Sequence, residues 1–229
     1  MELISTGQGT KVSGDRVREL FSSTEGTFKG GMLHREGGRI HPAKVTQALA
    51  SSALQKGLSL HLNCLAQSIE PLTDSEFRVD VLTKQGKIKA KWVMVCTNVL
   101  TPKLLPELEA FMTQDPSEVL VFESGPEVWK HPFTADEDKW YGQQLPDGRI
   151  VLGGPSPSAS ESEGPEEFAL KAFPFLESRR VESRWQGVIC ETPDELPLVG
   201  EVPGRPGVLV CGGFNGHGMP VCYALASGF

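Results

Sequence analysis

The sequence predicts an α/β fold with α+β character, in which a discontinuous, nucleotide-type α/β domain carries an inserted mixed or antiparallel sheet. Three observations predict it. Near both ends, apolar runs stand beside helical patterns: KWVMVCTN (91–98) and GVLVC (207–211), the second passing through a glycine turn into a helix. The middle third is instead built of short strands punctuated by turn residues, as in SEVLVFE (117–123) and KWYGQQLPDGRIVLGG (139–154). Finally, 229 residues with 39% apolar and 22% charged content are an ordinary globular composition with enough chain for a sizeable core, as one domain or two interleaved ones.

In chain order, the first 30 residues mix Gly, Ser and Thr with charge and read as a weakly patterned lead-in. The first firm element is a helix from Pro42, a residue suited to the first helical position. Val45, Ala48, Leu49, Ser52 and Ala53 share one face, and Gly57 stops the helix. LSLHLNC (58–64) alternates as a half-buried strand, and Phe77, Val79 and Val81 repeat that period. KQGK (84–87) then turns the chain into Ile88 and Ala90. KWVMVCTN is apolar on both faces, which predicts a parallel, central strand.

TPKLLPELEAFMTQDP (101–116) is broken by prolines, and Pro-Asp-Gly (146–148) joins two strands. PSPSASESEGPEE (155–167) reads as an exposed loop, FALKAFPFLE as a short helix interrupted at Pro174, and VESRWQGV as a strand. After Val208–Cys211, four glycines fall within seven positions, and Met219–Phe229 reads as a helix.

A formal charge of −7 with scattered Lys and Arg lacks the basic footprint of a nucleic-acid binder. No run approaches the roughly 18–20 apolar residues of a membrane span, and the N-terminus lacks a signal-peptide core, so a soluble, intracellular (cytoplasmic) protein is expected. The acidic clusters at Asp136–Asp138 and Glu161–Glu167 read as solvated loops. The five cysteines (64, 96, 190, 211, 222) show no metal-ligand spacing and read as small core residues in a reducing compartment.

A strand that turns through glycines into a helix points backbone N–H groups at an anion. CGGFNGHGM is nevertheless ambiguous by itself. Its spacing is GxxGxG rather than the GxGxxG of a dinucleotide site, and glycines that merely relieve a tight turn are an equal reading.

Four stretches in order, GGRIHPAKVTQALASSALQKG, KWVMVCTN, YGQQLPDGRIVLGG and WQGVICETPDELPLVG leading into GVLVCGGFNGHGM, resemble the D-amino-acid oxidase, glycine oxidase and sarcosine oxidase-type family of FAD-dependent oxidoreductases. The resemblance runs from about Gly30 to Phe229. It implies a partial FAD-binding, Rossmann-like domain over 30–105 and 185–229, a substrate-binding sheet domain over 106–184, and residues 1–29 as lead-in. Gly212, Gly213, Phe214, Asn215, Gly216, His217, Gly218 and Met219 would line the flavin. Ala66 would meet the adenine, and Thr97 and Asn98 would pass beside the cofactor.

The same resemblance implies oxidation of a C–N bond in a small amine or amino-acid substrate by hydride transfer to flavin. Tyr141 is the candidate for offering a hydroxyl to that substrate, against a packing role on its strand. His217 is the candidate for acid–base work, against a backbone contact in the turn. Several relatives anchor a carboxylate with an arginine where this chain has Ile189, which puts a simple α-amino acid in question. His34 is a candidate for the active-site wall, and His41 opens the first helix. Arg149 serves a turn, and Asp194 and Pro197 shape the approach beneath the flavin. No strand–GxGxxG–helix unit precedes residue 30, and Gly7 and Gly9 do not replace it, so a truncated form is expected. The alternative is a non-catalytic remnant, inactive or acting as a binding module.

Overall fold

A computed structural model describes residues 9–34, 38–72, 76–157 and 163–226. The chain runs β1 (Thr10–Ser13), α1 (Gly14–Phe21), β2 (Gly30–Leu33), α2 (Pro42–Gln55), β3 (Ala66–Pro71), β4 (Val79–Thr83), β5 (Gly86–Ala90) and β6 (Val93–Val95). Two 3₁₀ turns, Asn98–Lys103 and Pro106–Phe111, lead to β7 (Thr113–Phe122), β8 (Phe133–Ala135), β9 (Trp140–Gln144) and β10 (Ile150–Pro155). Then come α3 (Pro165–Ala172), a third 3₁₀ turn (Pro174–Ser178), β11 (Val181–Glu191), β12 (Leu198–Glu201), β13 (Val208–Gly212) and α4 (Gly218–Ala226). The chain forms two compact units, one from Met1–Ile40 and Pro116–Gly187, the other from His41–Asp115 and Val188–Phe229.

The first unit is built on a five-stranded sheet ordered β11-β7-β10-β9-β8; β9 and β10 pair antiparallel across the Pro-Asp-Gly turn, as its chemistry predicts, and β10 pairs antiparallel with β7. Its core gathers Leu120, Phe122, Ile150 and Leu152 from the strands with Phe168, Phe173 and Leu176 from α3 and the turn after it. Trp140 stacks on Phe168 with centroids 4.3 Å apart, and Trp129 meets Phe173 edge-on at 4.7 Å. Such ring pairs contribute about 0.5–1.5 kcal/mol each beyond their area. Gln144 is buried yet fully bonded. Its Oε1 accepts from the amides of Val128 and Trp129, and its Nε2 donates to Pro126 O and Gly148 O. At the other end of the sheet the buried Glu118 carboxylate is met by Arg184 at 3.2 Å, and Arg184 also reaches Glu166.

The expected lead-in is ordered from Gly9 onward. Ser13 Oγ accepts from Arg16 N and caps α1, and Val17, Leu20 and Phe21 lay one apolar stripe on the same core. Trp129 Nε1 fixes the end of α1 by donating to Phe21 O at 2.8 Å. An eight-residue helix carries too few turns for its 3.6 period to stand out in the sequence.

The second unit holds two three-stranded sheets, β12-β13-β6 and β3-β4-β5. β13 runs parallel to β6 and antiparallel to β12. The core is Ile69, Val79, Val95, Leu105, Leu108, Met112, Cys190, Val202, Val208 and Val210. The β4–β5 hairpin turns at Lys84–Gln85, where Thr83 pairs with Gly86, as read from KQGK.

Two expectations are corrected here. β6 is parallel but lies at the sheet edge, with Trp92 and Met94 exposed, and the central strand is β13. LSLHLNC is not a strand: its leucines have the right period but no strand among the described residues pairs with them, and Leu58, Leu60 and Leu62 are exposed. Alternation prepares a face, whereas a strand also needs a hydrogen-bonding partner. α2 forms from Pro42 as predicted and buries none of its residues. Residues 158–162 of the expected acidic loop, Gly7, and the last three residues of the expected C-terminal helix lie outside the described residues.

Glu107 and Arg205 tie the second 3₁₀ turn to the β12–β13 connection, with Arg205 Nη1 also donating to Ile69 O at 3.0 Å. Desolvation opposes ionisation of Glu107, but its backbone hydrogen bond and the Arg205 guanidinium outweigh it and hold the carboxyl below its ordinary 4.5. A depressed carboxyl stabilises the fold above the unfolded value, and that contribution disappears as pH falls through the folded one. Acidification below about pH 4.5 is therefore expected to lower the melting temperature of wild type more than that of Arg205→Met. Parallel acid losses in the two proteins would refute this coupling.

Candidate functional site

β13 delivers the chain into the glycine turn, and two asparagines hold that turn. Asn98, in the left-handed region at φ 46, follows β6 and accepts from Gly213 N through Oδ1 at 3.0 Å. Asn215, at φ 51, lies inside the turn. Its Oδ1 accepts from Thr192 N at 2.8 Å, its Nδ2 donates to Gly213 O at 3.0 Å, and its own N–H donates to Cys190 O at 3.0 Å. Asparagine suits both positions because it tolerates the left-handed region and bonds backbone locally.

Thr192 closes the arrangement from the strand side. Its Oγ1 donates to Leu196 O at 2.8 Å and lies 3.1 Å from Asn215 Nδ2. A Cβ at Gly213 would stand 2.6 Å from Thr192 Cγ2, so close approach as well as φ +67 requires glycine there. Asp194 Oδ1 accepts from Leu196 N at 3.1 Å, shaping the 192–198 bend as expected. Sequence reading passed over Thr192, since its partner lies 23 residues away and no local pattern marks it.

Gly216 is different. At φ +77 it faces open space, and a Cβ built there would approach only Ile189 Cδ1, at 4.0 Å. His217 N–H donates to Phe214 O at 2.8 Å. Because a carbonyl only accepts, His217 Nδ1 carries the proton in its 2.7 Å bond to Asn215 O, and in the neutral ring Nε2 is the acceptor. α4 then begins at Gly218 with no acidic residue in its first turn. Its first N–H groups have no intrahelical acceptor and sit at the positive end of the helix dipole.

The structure thus brings Asn98, Gly212, Gly213, Asn215 and His217 together, with Thr192 and Ile189. Thr97 is adjacent in sequence, but its Oγ1 pairs with Thr101 Oγ1 at 3.1 Å. Ala66 opens β3 in the other sheet, at a register shift between Ala66 and Ser68. Tyr141 belongs to the first unit, on β9. Its ring covers Gly153 on β10, where a Cβ would collide with it, and its hydroxyl lies 3.3 Å from Ser117 Oγ. Arg149 bonds Asp147 within its own turn at 2.7 Å. Among the described residues no group of three or more His, Cys, Asp or Glu side chains could hold a metal ion, and no helix is long and apolar enough to cross a membrane.

Residues 3–227 match the DAO family, described as FAD dependent oxidoreductase. The chain belongs to this family. The match starts well ahead of Gly30, taking in the ordered β1–α1–β2 segment. Among curated relatives, the chain is 26% identical over 219 residues to gamma-glutamylputrescine oxidoreductase of Escherichia coli strain K12, covering 87% of this chain and 48% of that one. It is likewise 26% identical over 195 residues to the probable oxidoreductase OrdL of Rhizobium meliloti strain 1021, covering 80% and 44%. The chain therefore spans about half the length of these relatives. The crystal structure of glycine oxidase from Geobacillus kaustophilus shares the fold, with a TM-score of 0.80 at 18% identity over 96% of this chain and 62% of that one.

The turn fits the family's cofactor on three observations. Gly216 leaves side-chain-free space, the first turn of α4 offers donors and carries no acidic residue, and two asparagines fix the Gly213 backbone of the turn. A ring that gains negative charge on reduction suits that end of a helix.

Proposed function

We propose that this chain supplies the flavin-facing and substrate-binding parts of an FAD-dependent oxidoreductase that oxidises a C–N bond in a small amine or amino acid. The observation that carries the reading is the open Gly216 surface before α4, in a turn whose Gly213 backbone is held by Asn98 and Asn215, in a chain of this family. When bound, FAD would accept a hydride from the carbon beside nitrogen. The protein's part is to hold the backbone N–H groups of Gly218 and Met219, at the start of α4, toward the ring without reorganisation. In this reading His217 positions the turn through its Nδ1 bond to Asn215 O, and Ile189 makes the neighbouring wall apolar. An apolar wall favours an amine whose flank carries no carboxylate at that point, a class consistent with the named activity of the Escherichia coli relative. The expected placements of Tyr141 at the substrate and Ala66 at the adenine are kept within this proposal.

The test is a titration of the isotope-labelled 229-residue chain with FAD, followed by backbone amide resonances, which detects weak as well as tight binding. Shifts concentrated at Gly213–Met219 are expected, with flavin lost on desalting because the sequence has no GxGxxG turn to grip the pyrophosphate. Shifts confined to the first unit, or no shift at millimolar FAD, would overturn the reading. Retention of FAD through desalting would overturn the expectation of weak binding.

A further inference from the structure

Three of the five cysteines converge where the sheet of the second unit meets the glycine turn. The parallel register pairs Val208 with Val93, Leu209 with Met94 and Val210 with Val95, so the next step sets Cys211 beside Cys96. Alternation places both on one face: Val95 and Val210 turn into the core, whereas Cys96 is exposed and Cys211 half-buried. Cys222 is exposed on α4 beside the turn, its Sγ 3.6 Å from where a Cβ on Gly218 would stand. Neighbouring strands stand about 4.8 Å apart, within the Cα separation of about 4.4–6.8 Å that a disulfide spans.

We propose that Cys96 and Cys211 form a reversible thiol–disulfide pair that acts on the glycine turn. Cys96 lies two residues before Asn98, and Cys211 two residues before Gly213, and Asn98 Oδ1 accepts from Gly213 N. The S–S bond and this hydrogen bond are successive rungs between the same two chain segments. A disulfide has its own required Cβ separation, about 3.8 Å, and a fixed dihedral geometry, so closing it resets the spacing of the two strand ends next to the rung that sets the turn. The oxidant is a low-molecular-weight disulfide. Each cysteine gives up its thiol proton, the pair loses two electrons to the oxidant's S–S bond, and that bond leaves as two thiols. Desolvation raises the pKa of Cys96 and of Cys211, so exchange is slow at neutral pH, and the same exchange run backwards with a small thiol reopens the pair.

Only the link from the turn to flavin rests on the proposed function. The test equilibrates the whole chain in oxidised and reduced glutathione, traps free thiols with N-ethylmaleimide, and maps cross-linked peptides by mass. The buried Cys190 serves as an internal control. A Cys96–Cys211 cross-link reversed by dithiothreitol, absent in Cys211→Ser, and accompanied by a shift of the Gly213 amide resonance is expected. Cross-links only to Cys222, mixed disulfides with glutathione alone, or a cross-link that leaves the Gly213 amide unmoved would each overturn the proposal. A cross-link and amide shift in a chain that shows no response to FAD in either state would support the thiol pair while removing the flavin reading.

Discussion

Asn215→Ala is expected to destabilise the second unit by about 3 kcal/mol. The substitution removes the acceptor of the Thr192 amide, the Nδ2 donor to Gly213 O and the contact with Thr192 Oγ1. Net hydrogen bonds contribute roughly 0.5–1.5 kcal/mol each, and an alanine held in the left-handed region adds about 1–2 kcal/mol of strain, so the parts agree with the whole. Two companion variants separate the contributions. Asn215→Gly keeps φ 51 free of strain and loses only the bonds, whereas Asn215→Asp keeps Oδ1 for Thr192 N and loses the donation to Gly213 O. Urea unfolding followed in the second unit should rank stability as wild type, Asp, Gly, Ala. A loss below about 0.5 kcal/mol in Asn215→Ala would show that the side chain does not hold the turn.

That asparagine also marks how far the sequence could be read. The glycine turn was legible because its chemistry is local: a short apolar strand, four glycines within seven positions and a following helix all lie within one stretch. Local turn chemistry likewise gave Pro42 at the start of α2, Gly148 between β9 and β10, and the Lys84–Gln85 hairpin. What failed were features whose cause lies elsewhere in the chain. LSLHLNC alternates correctly yet pairs with no strand among the described residues, and KWVMVCTN is apolar on both faces yet sits at an edge, because strand pairing is a property of two segments and the pattern reports one. α1 was missed for a related reason. Its three apolar residues find their partners in Trp129 and Phe133, which lie more than one hundred residues away. Within the site, Asn98 was assigned through resemblance, but its role of accepting from Gly213 N depends on the parallel register of β6 and β13. Thr192 gave no sequence signal, and neither did the Cys96–Cys211 pairing, since both require that register or the fold around it.

Gly216→Val should weaken flavin binding by about 100-fold or more, the equivalent of about 2.7 kcal/mol. Two effects act on this residue and have to be separated. At φ +77 any β-branched side chain is strained, at about 1–2 kcal/mol, and that alone lowers stability. The second effect is occupancy. Gly216 opens onto space in which only Ile189 Cδ1 comes within reach, and a valine would fill the surface the ring is proposed to cover. Gly204 provides the control, because it too has φ +77 and nothing within 4 Å of a built Cβ, but it lies in the connection between β12 and β13 rather than in the turn. Gly204→Val and Gly216→Val are therefore expected to lose similar stability in thermal unfolding, while only Gly216→Val loses the amide response of residues 213–219 to FAD. Equal loss of that response in both variants would mean that strain, not occupancy, is being measured. An unchanged response in Gly216→Val would place the ring away from this turn, leaving Asn98 and Asn215 as supports of a purely structural bend.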